Sequence, residues 1–255
     1  MGTWISHLRI AEQLLAAIPD LDEIGFTLGS LAPDSGVPVP GPEYRFEPPK
    51  TITHFLNKGD DEGRIRDLDF YRGYVAALDP DADLALYSFG LAYFFHLIAD
   101  NLWALHMVRT HQEAYAWLFD QKGGAAWWDF KRDWYDLDHK YVRDHPHGLF
   151  QRVLLTAPNP PCYFPFLVES ALHSQLNDIR TFYAQPDPDR VLDRAYPYLN
   201  AATMDRYVGE TVAAIMSIYQ HISEHGAPAD HGSSIMLLTA ADRAPYPPPI
   251  GDPLP

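Results

Sequence analysis

LALYSFGLAYFFHLIADNLWALHMVR, residues 84–109, reads as one long, mostly apolar helix, and its reading decides the fold class. His96, Asp100 and His106 stand inside it. A helix turns once every 3.6 residues, so His96 and Asp100, four apart, project from one face. A carboxylate on a buried helix is costly unless something compensates its charge. Either the imidazole and the carboxylate satisfy each other as a core hydrogen bond, or they share a metal ion. The run is long enough to span a bilayer. His96, Asp100, Asn101 and His106 interrupt it from the middle onward, however. Only about 12 cleanly apolar residues precede His96, against the roughly 20 that a span requires. A buried core helix is the expectation.

On the N-terminal side, Asp79-Pro80-Asp81-Ala82-Asp83 is a helix start signal, with acidic residues favoured by the helix dipole. Residues 67–78 read as helix, with Phe70, Tyr74 and Leu78 in register. The polar stretch NKGDDEGRIR (57–66) reads as a surface loop. Pro38, Pro40, Pro42, Pro48 and Pro49 make residues 36–50 an extended loop rather than a helix. That loop ends at Thr51-Ile52-Thr53-His54-Phe55. Pro33-Asp34-Ser35-Gly36 is turn chemistry. Residues 5–18 form an amphipathic helix through Leu8, Ala11, Leu15 and Ile18, with Ser6 as its expected cap and His7 facing inward.

On the C-terminal side, residues 110–120 and 125–143 read as helices separated by Lys122-Gly123-Gly124. The second carries Asp136 and His139 at i, i+3. Pro158 to Pro165 is a proline-rich break around Cys162. Helix resumes over 166–183, with His173 inside, and again over 198–222, where Met204, Val208, Val212, Ile215, Tyr219 and Ile222 line one side. No segment alternates with period two long enough to build a sheet. The class is therefore all-α: one domain over 1–225 and a Pro-rich tail over 226–255, irregular and ordered in part against the surface.

Composition narrows the function. At 255 residues and 47% hydrophobic, the chain can bury a sizeable core. A formal net charge of −15 argues against a nucleic-acid binder, which needs a basic face. An anionic substrate remains compatible if a metal supplies positive charge. The single cysteine excludes an intrachain disulfide and a thiolate zinc cluster, while the 12 histidines point to imidazole and carboxylate ligands, which suit zinc. The first residues, MGTWISHLRIAEQLL, lack a basic segment and a small-residue cleavage site, so the expected location is cytoplasmic. There is no Gly-rich phosphate loop and no G-x-S-x-G elbow.

Each candidate has an ordinary reading alone: His7 a core histidine, Asp34 a turn aspartate, His54 a surface histidine. Their order, His7 … Asp34 … His54 … His96-x-x-x-Asp100 … His106, together with TWISHLRIAEQLL, GSLAPDSG, THF and HLIADNLW, resembles the zinc-dependent phospholipase C family, which is similar in turn to the S1/P1 nucleases. The resemblance covers residues 1 to about 145.

The resemblance implies an all-helical fold and a zinc-dependent hydrolase of phosphoester bonds, binding two zinc ions or three. By it, His96, His54, Asp34 and Asp100 surround one metal, and Asp100 bridges to a second that His7 also binds. His106 belongs to a third site with His139 as partner, for which His111, Asp136 and His173 are rivals. The family's third site uses His-x-x-x-Glu, whereas His139 here is followed by Arg143, and the family's terminal tryptophan ligand has only the internal Trp4 as a counterpart. Asp34 and Asp100 are the expected catalytic carboxylates, Asp34 either as a ligand or as a general base. Arg132 or Arg109 is a candidate phosphate contact. The expected substrate is a small-molecule or lipid phosphoester. The other readings are a nuclease or nucleotidase, and a metal-stabilised binding protein without turnover. Oligomeric state is open.

Overall fold

A computed structural model describes residues 1–40, 45–57, 59 and 63–253. Pro42 and residues 58 and 60–62 of the expected polar loop lie outside the described residues. The chain is mostly helical, in the order α1 (Trp4–Ala17), α2 (Glu23–Gly29), α3 (Lys50–Thr53), α4 (Asp67–Phe70), α5 (Leu84–Trp103), α6 (Arg109–Ala114), α7 (Ala116–Lys122), α8 (Ala126–Asp144), α9 (Glu169–Ala184) and α10 (Ala201–His225). Among the described residues, no helix is long and apolar enough to cross a membrane.

α5 is the axis of the molecule. Asp83 caps its start, accepting from the Leu86 N–H at 2.9 Å, as the acidic start signal implies. From Ser88 to Trp103 every residue is buried. A helix apolar all round must be wrapped by others, and α1, α2, α4 and α10 pack on it. α2 comes closest. A Cβ added at Gly25 or Gly29 would lie only 2.6 Å from the Ala85 carbonyl oxygen or 2.3 Å from that of Phe89, so two glycines one turn apart let the backbones meet. α10 buries Met204, Val208, Ile215 and Ile222, with Val212 and Tyr219 partly covered, which matches the expected stripe. Tyr207, on the same helix, donates to the Ala99 carbonyl at 2.8 Å.

Three local expectations are corrected. The 84–109 run is not one regular helix: α5 ends at Trp103, and a π turn, Ala104–Val108, carries the chain into α6. The proline-rich stretch contains a small antiparallel hairpin, with Val37–Val39 (β1) paired to Arg45–Glu47 (β2) and Pro38 opposite Phe46. Two three-residue strands are too short for the alternation test to register. Thr3, not Ser6, caps α1. The C-terminal segment is held firmly where described: Ile235, Tyr246 and Ile250 are buried, and Ser233 and Ser234 bond the buried Asp67.

Candidate metal centre

Four elements meet around Asp100. His96 sits one turn before it on α5, and its Nδ1 lies 2.8 Å from the Ser30 carbonyl, just past α2. A carbonyl oxygen only accepts, so Nδ1 carries a proton and Nε2 is the atom turned to Asp100. The close glycine contact of α2 with α5 puts that carbonyl there. His7 comes from α1. The start of that helix is braced: Thr3 Oγ1 donates to Asp138 on α8 at 2.8 Å, and Tyr183 on α9 donates to the same carboxylate at 2.6 Å. His54 follows α3, with Nδ1 3.0 Å from Thr53 Oγ1. Phe55, at φ 52°, then turns the chain sharply away. Asp34 closes a short 3-10 turn, Ala32–Asp34.

The distances within this group are alike. Asp100 Oδ1 is 3.4 Å from His7 Nε2, and Asp100 Oδ2 is 3.4 Å from His54 Nε2 and 3.6 Å from His96 Nε2. His54 Nε2 is 3.3 Å from Asp34 Oδ1. The Gly2 N–H donates to Asp100 Oδ1 at 2.7 Å, and Lys50 Nζ lies 3.4 Å from Asp34 Oδ1. The rings of His7 and His96 stack at 3.8 Å.

His7 Nε2, His54 Nε2, His96 Nε2 and Asp100 Oδ2 are all buried without a hydrogen-bond partner. Buried polar atoms are normally satisfied, so four orphans on one spot call for an explanation. Ligand atoms around one tetrahedral ion with bonds of about 2.1 Å stand about 3.4 Å apart, the spacing found here. His7, His96 and Asp100 form one set that could hold a metal, and Asp34, His54 and His96 form another. Asp100 turns one oxygen towards His7 and the other towards His54 and His96.

Electrostatics leave two of the three rings, His7 and His54, as neutral donors, and favour the proton on His96, which an ion would have to displace. Burial pushes His54 down to about 4 and lowers His7, which the neighbouring His96 charge lowers further; both are neutral lone-pair donors near neutral pH. Burial acts against charge on His96, but the Asp100 carboxylate outweighs it and holds His96 up. Burial would raise Asp100 and Asp34. For Asp100 the Met1 amino charge and the His7 and His96 rings win; for Asp34 the Lys50 ammonium and His54 win. Both carboxyls stay well below the ordinary range, ionised and acceptor-only.

The expected third site does not assemble. His106 Nδ1 faces the Ala244 carbonyl at 2.8 Å, and its ring stacks on Tyr246 at 4.6 Å. His139 packs against Phe182 and Tyr183, with ring centres 4.9 and 4.8 Å away; burial, then the Arg190 charge, pushes it down to about 4. Neither belongs to a metal-binding group among the described residues. Asp136 is taken by Arg190 and Arg194, His111 Nδ1 faces the Met107 carbonyl, and His173 Nε2 faces that of Pro160. Arg132 is exposed.

Two cavities open beside the cluster. One, about 600 Å³, reaches it at Asp34 and is lined by Lys50, Lys131, Trp127 and Trp134 among others. The second, about 430 Å³, reaches it at His54 and Asp100, with Arg64 and Arg109 in its wall. Sequence reasoning missed Lys50, Lys131 and the Asp138 brace. The only signal for Asp138 was an acidic residue on the turn of α8 next to His139, and nothing local distinguished the lysines. No protein-family model, curated protein or solved structure matches the chain.

Proposed function

We propose that the chain is a zinc-dependent hydrolase of phosphoester bonds. The observation that carries the reading is the pair of overlapping donor sets sharing His96, with four orphaned ligand atoms, beside cavities large enough for a small molecule. His54, His96, Asp34 and Asp100 Oδ2 would hold one ion, and His7 with Asp100 Oδ1 a second. Bound there, such ions lower the pKa of water to about 7 and neutralise charge on a phosphoryl group.

The remaining work falls to the chain's own groups. The Ser30 carbonyl and the Thr53 hydroxyl hold the His96 and His54 rings in place, the usual role of partners behind metal-ligating histidines. Asp34 lies on the wall of the larger cavity, ionised, and either binds metal or takes a proton from water entering there. Lys50, 3.4 Å from Asp34, sets a positive charge where a phosphoryl oxygen would arrive. A purely structural zinc site is closed off by protein ligands; the cavities at Asp34, His54 and Asp100 favour turnover over a metal-stabilised scaffold.

The test is hydrolysis of p-nitrophenyl phosphate and bis-p-nitrophenyl phosphate by zinc-loaded protein. The expected result is turnover of at least one substrate, abolished by a chelator and restored by zinc. Rates equal with and without chelator, or no turnover of any phosphoester by protein that demonstrably holds zinc, would overturn the hydrolase reading.

A further inference from the structure

The larger cavity carries more information than its volume. Its end at the metal centre holds Asp34 and Lys50, and Lys131 of α8 also faces it. Lys131 is half-buried, and its ammonium lies 4.8 Å from the Trp128 ring centre. Among the described residues no carboxylate pairs with it. Burial, and then the charge of Lys50, lowers the Lys131 ammonium, and the same Lys131 charge reaches the Met1 amino group beside Asp100. The two lysines line the same cavity, close enough for each charge to be felt by the other. Two like charges facing a shared, partly desolvated space repel each other, and an anion between them relieves that repulsion. Trp4, Trp127, Trp134 and Phe46 form apolar walls around that space.

Resting on the hydrolase reading above, we infer that Lys50 and Lys131 are a specificity-determining pair that holds the phosphoryl group of a phosphomonoester dianion beside the metal centre, with the organic part of the substrate against the aromatic walls. A monoester brings two negative charges to the two ammonium groups. A diester brings one, and a zwitterionic headgroup brings a cation into the same space, where both lysines oppose it. The chain's overall charge of −15 repels such substrates at long range, and Asp34 and Asp178 also line the cavity, so selection depends on the two ammonium groups.

The experiment uses the full, zinc-loaded chain as wild type, Lys131→Met and Lys131→Arg, with matched melting temperatures as the folding control. Lys131 is the residue to change, because Lys50 touches Asp34 and its loss would disturb the cluster itself. The readout is the ratio of kcat/KM for p-nitrophenyl phosphate to that for bis-p-nitrophenyl phosphate, with the dissociation constant of inorganic phosphate from calorimetry. The ratio is expected to fall about tenfold or more in Lys131→Met and to return to within about threefold in Lys131→Arg, with phosphate binding weakened in parallel. A ratio unchanged within about twofold in Lys131→Met overturns the pair while leaving the hydrolase reading intact. If no substrate turns over, phosphate binding decides. Weakening in Lys131→Met with recovery in Lys131→Arg upholds the pair although the hydrolase reading has failed. Phosphate binding that is absent or indifferent to Lys131 overturns the pair.

Discussion

His96 and His106 lie ten residues apart on what reads as one helical run, and the fold gives them different surroundings. Both rings are buried, and both turn Nδ1 to a backbone carbonyl, that of Ser30 and that of Ala244. The same hydrogen bond thus fixes the tautomer in both. What differs is the other side of the ring. His96 Nε2 meets Asp100, with His7 stacked on its face and His54 edge-on. His106 meets Tyr246 of the C-terminal segment, over whose ring the Arg206 guanidinium also sits at 4.1 Å. A carbonyl behind the ring is thus common to both histidines. Further donors from other elements converge only on His96.

That comparison can be broken directly. His96→Ala is expected to weaken zinc affinity about 100-fold or more, roughly 2.7 kcal/mol, whereas His106→Ala leaves it within about twofold. Competition of each variant against a chromogenic zinc chelator measures both. Equal losses would return His106 to the metal site, and no loss in His96→Ala would remove His96 from it.

Two buried carboxylates sharpen the same lesson with a smaller effect. Asp100, ringed by positive and imidazole groups, is held well below the ordinary range. Burial pushes Asp138, which meets mainly hydroxyls, up to about 7. A carboxyl raised on folding binds its proton more tightly in the folded state. Its contribution is complete below the unfolded value near 3.8 and is lost as pH rises towards about 7. Asp138→Asn cannot titrate, and its amide can still bond Thr3 and Tyr183. The variant should therefore gain on wild type by about 2–3 kcal/mol between pH 5 and pH 8 in urea unfolding. A stability gap that does not change with pH would contradict the raised pKa.

The parts legible in the sequence were those set by short-range periodicity. The i, i+4 spacing of His96 and Asp100 on an apolar helix needed only helix geometry, and the inward face of His7 needed only the register of Leu8 and Ala11. Asp34 and His54 were visible as residue types in a turn and at the end of a proline-rich stretch, but their meeting depends on where those segments fold back. The Thr3–Asp138–Tyr183 brace joins three helices far apart in sequence, so no local pattern announces it. Lys131 looks like one more charge on an amphipathic helix until the cavity in front of it is seen. The sequence run through Trp103 to Arg109 gave no sign of the π turn, and without it the expected placement of His106 had nothing to oppose it. The covering of His106 by Tyr246 comes from a tail whose composition suggested only irregular structure.

The central claim is that Asp100 is the bridge of a metal cluster. It is tested most directly by elemental analysis of protein purified without chelators, wild type beside Asp100→Ala. The account predicts about two equivalents of zinc in the wild type and a loss of at least half of it in the variant. Less than about half an equivalent, unchanged in the variant, would contradict it, and His96–Asp100 would then be a core contact between an imidazole and a carboxylate.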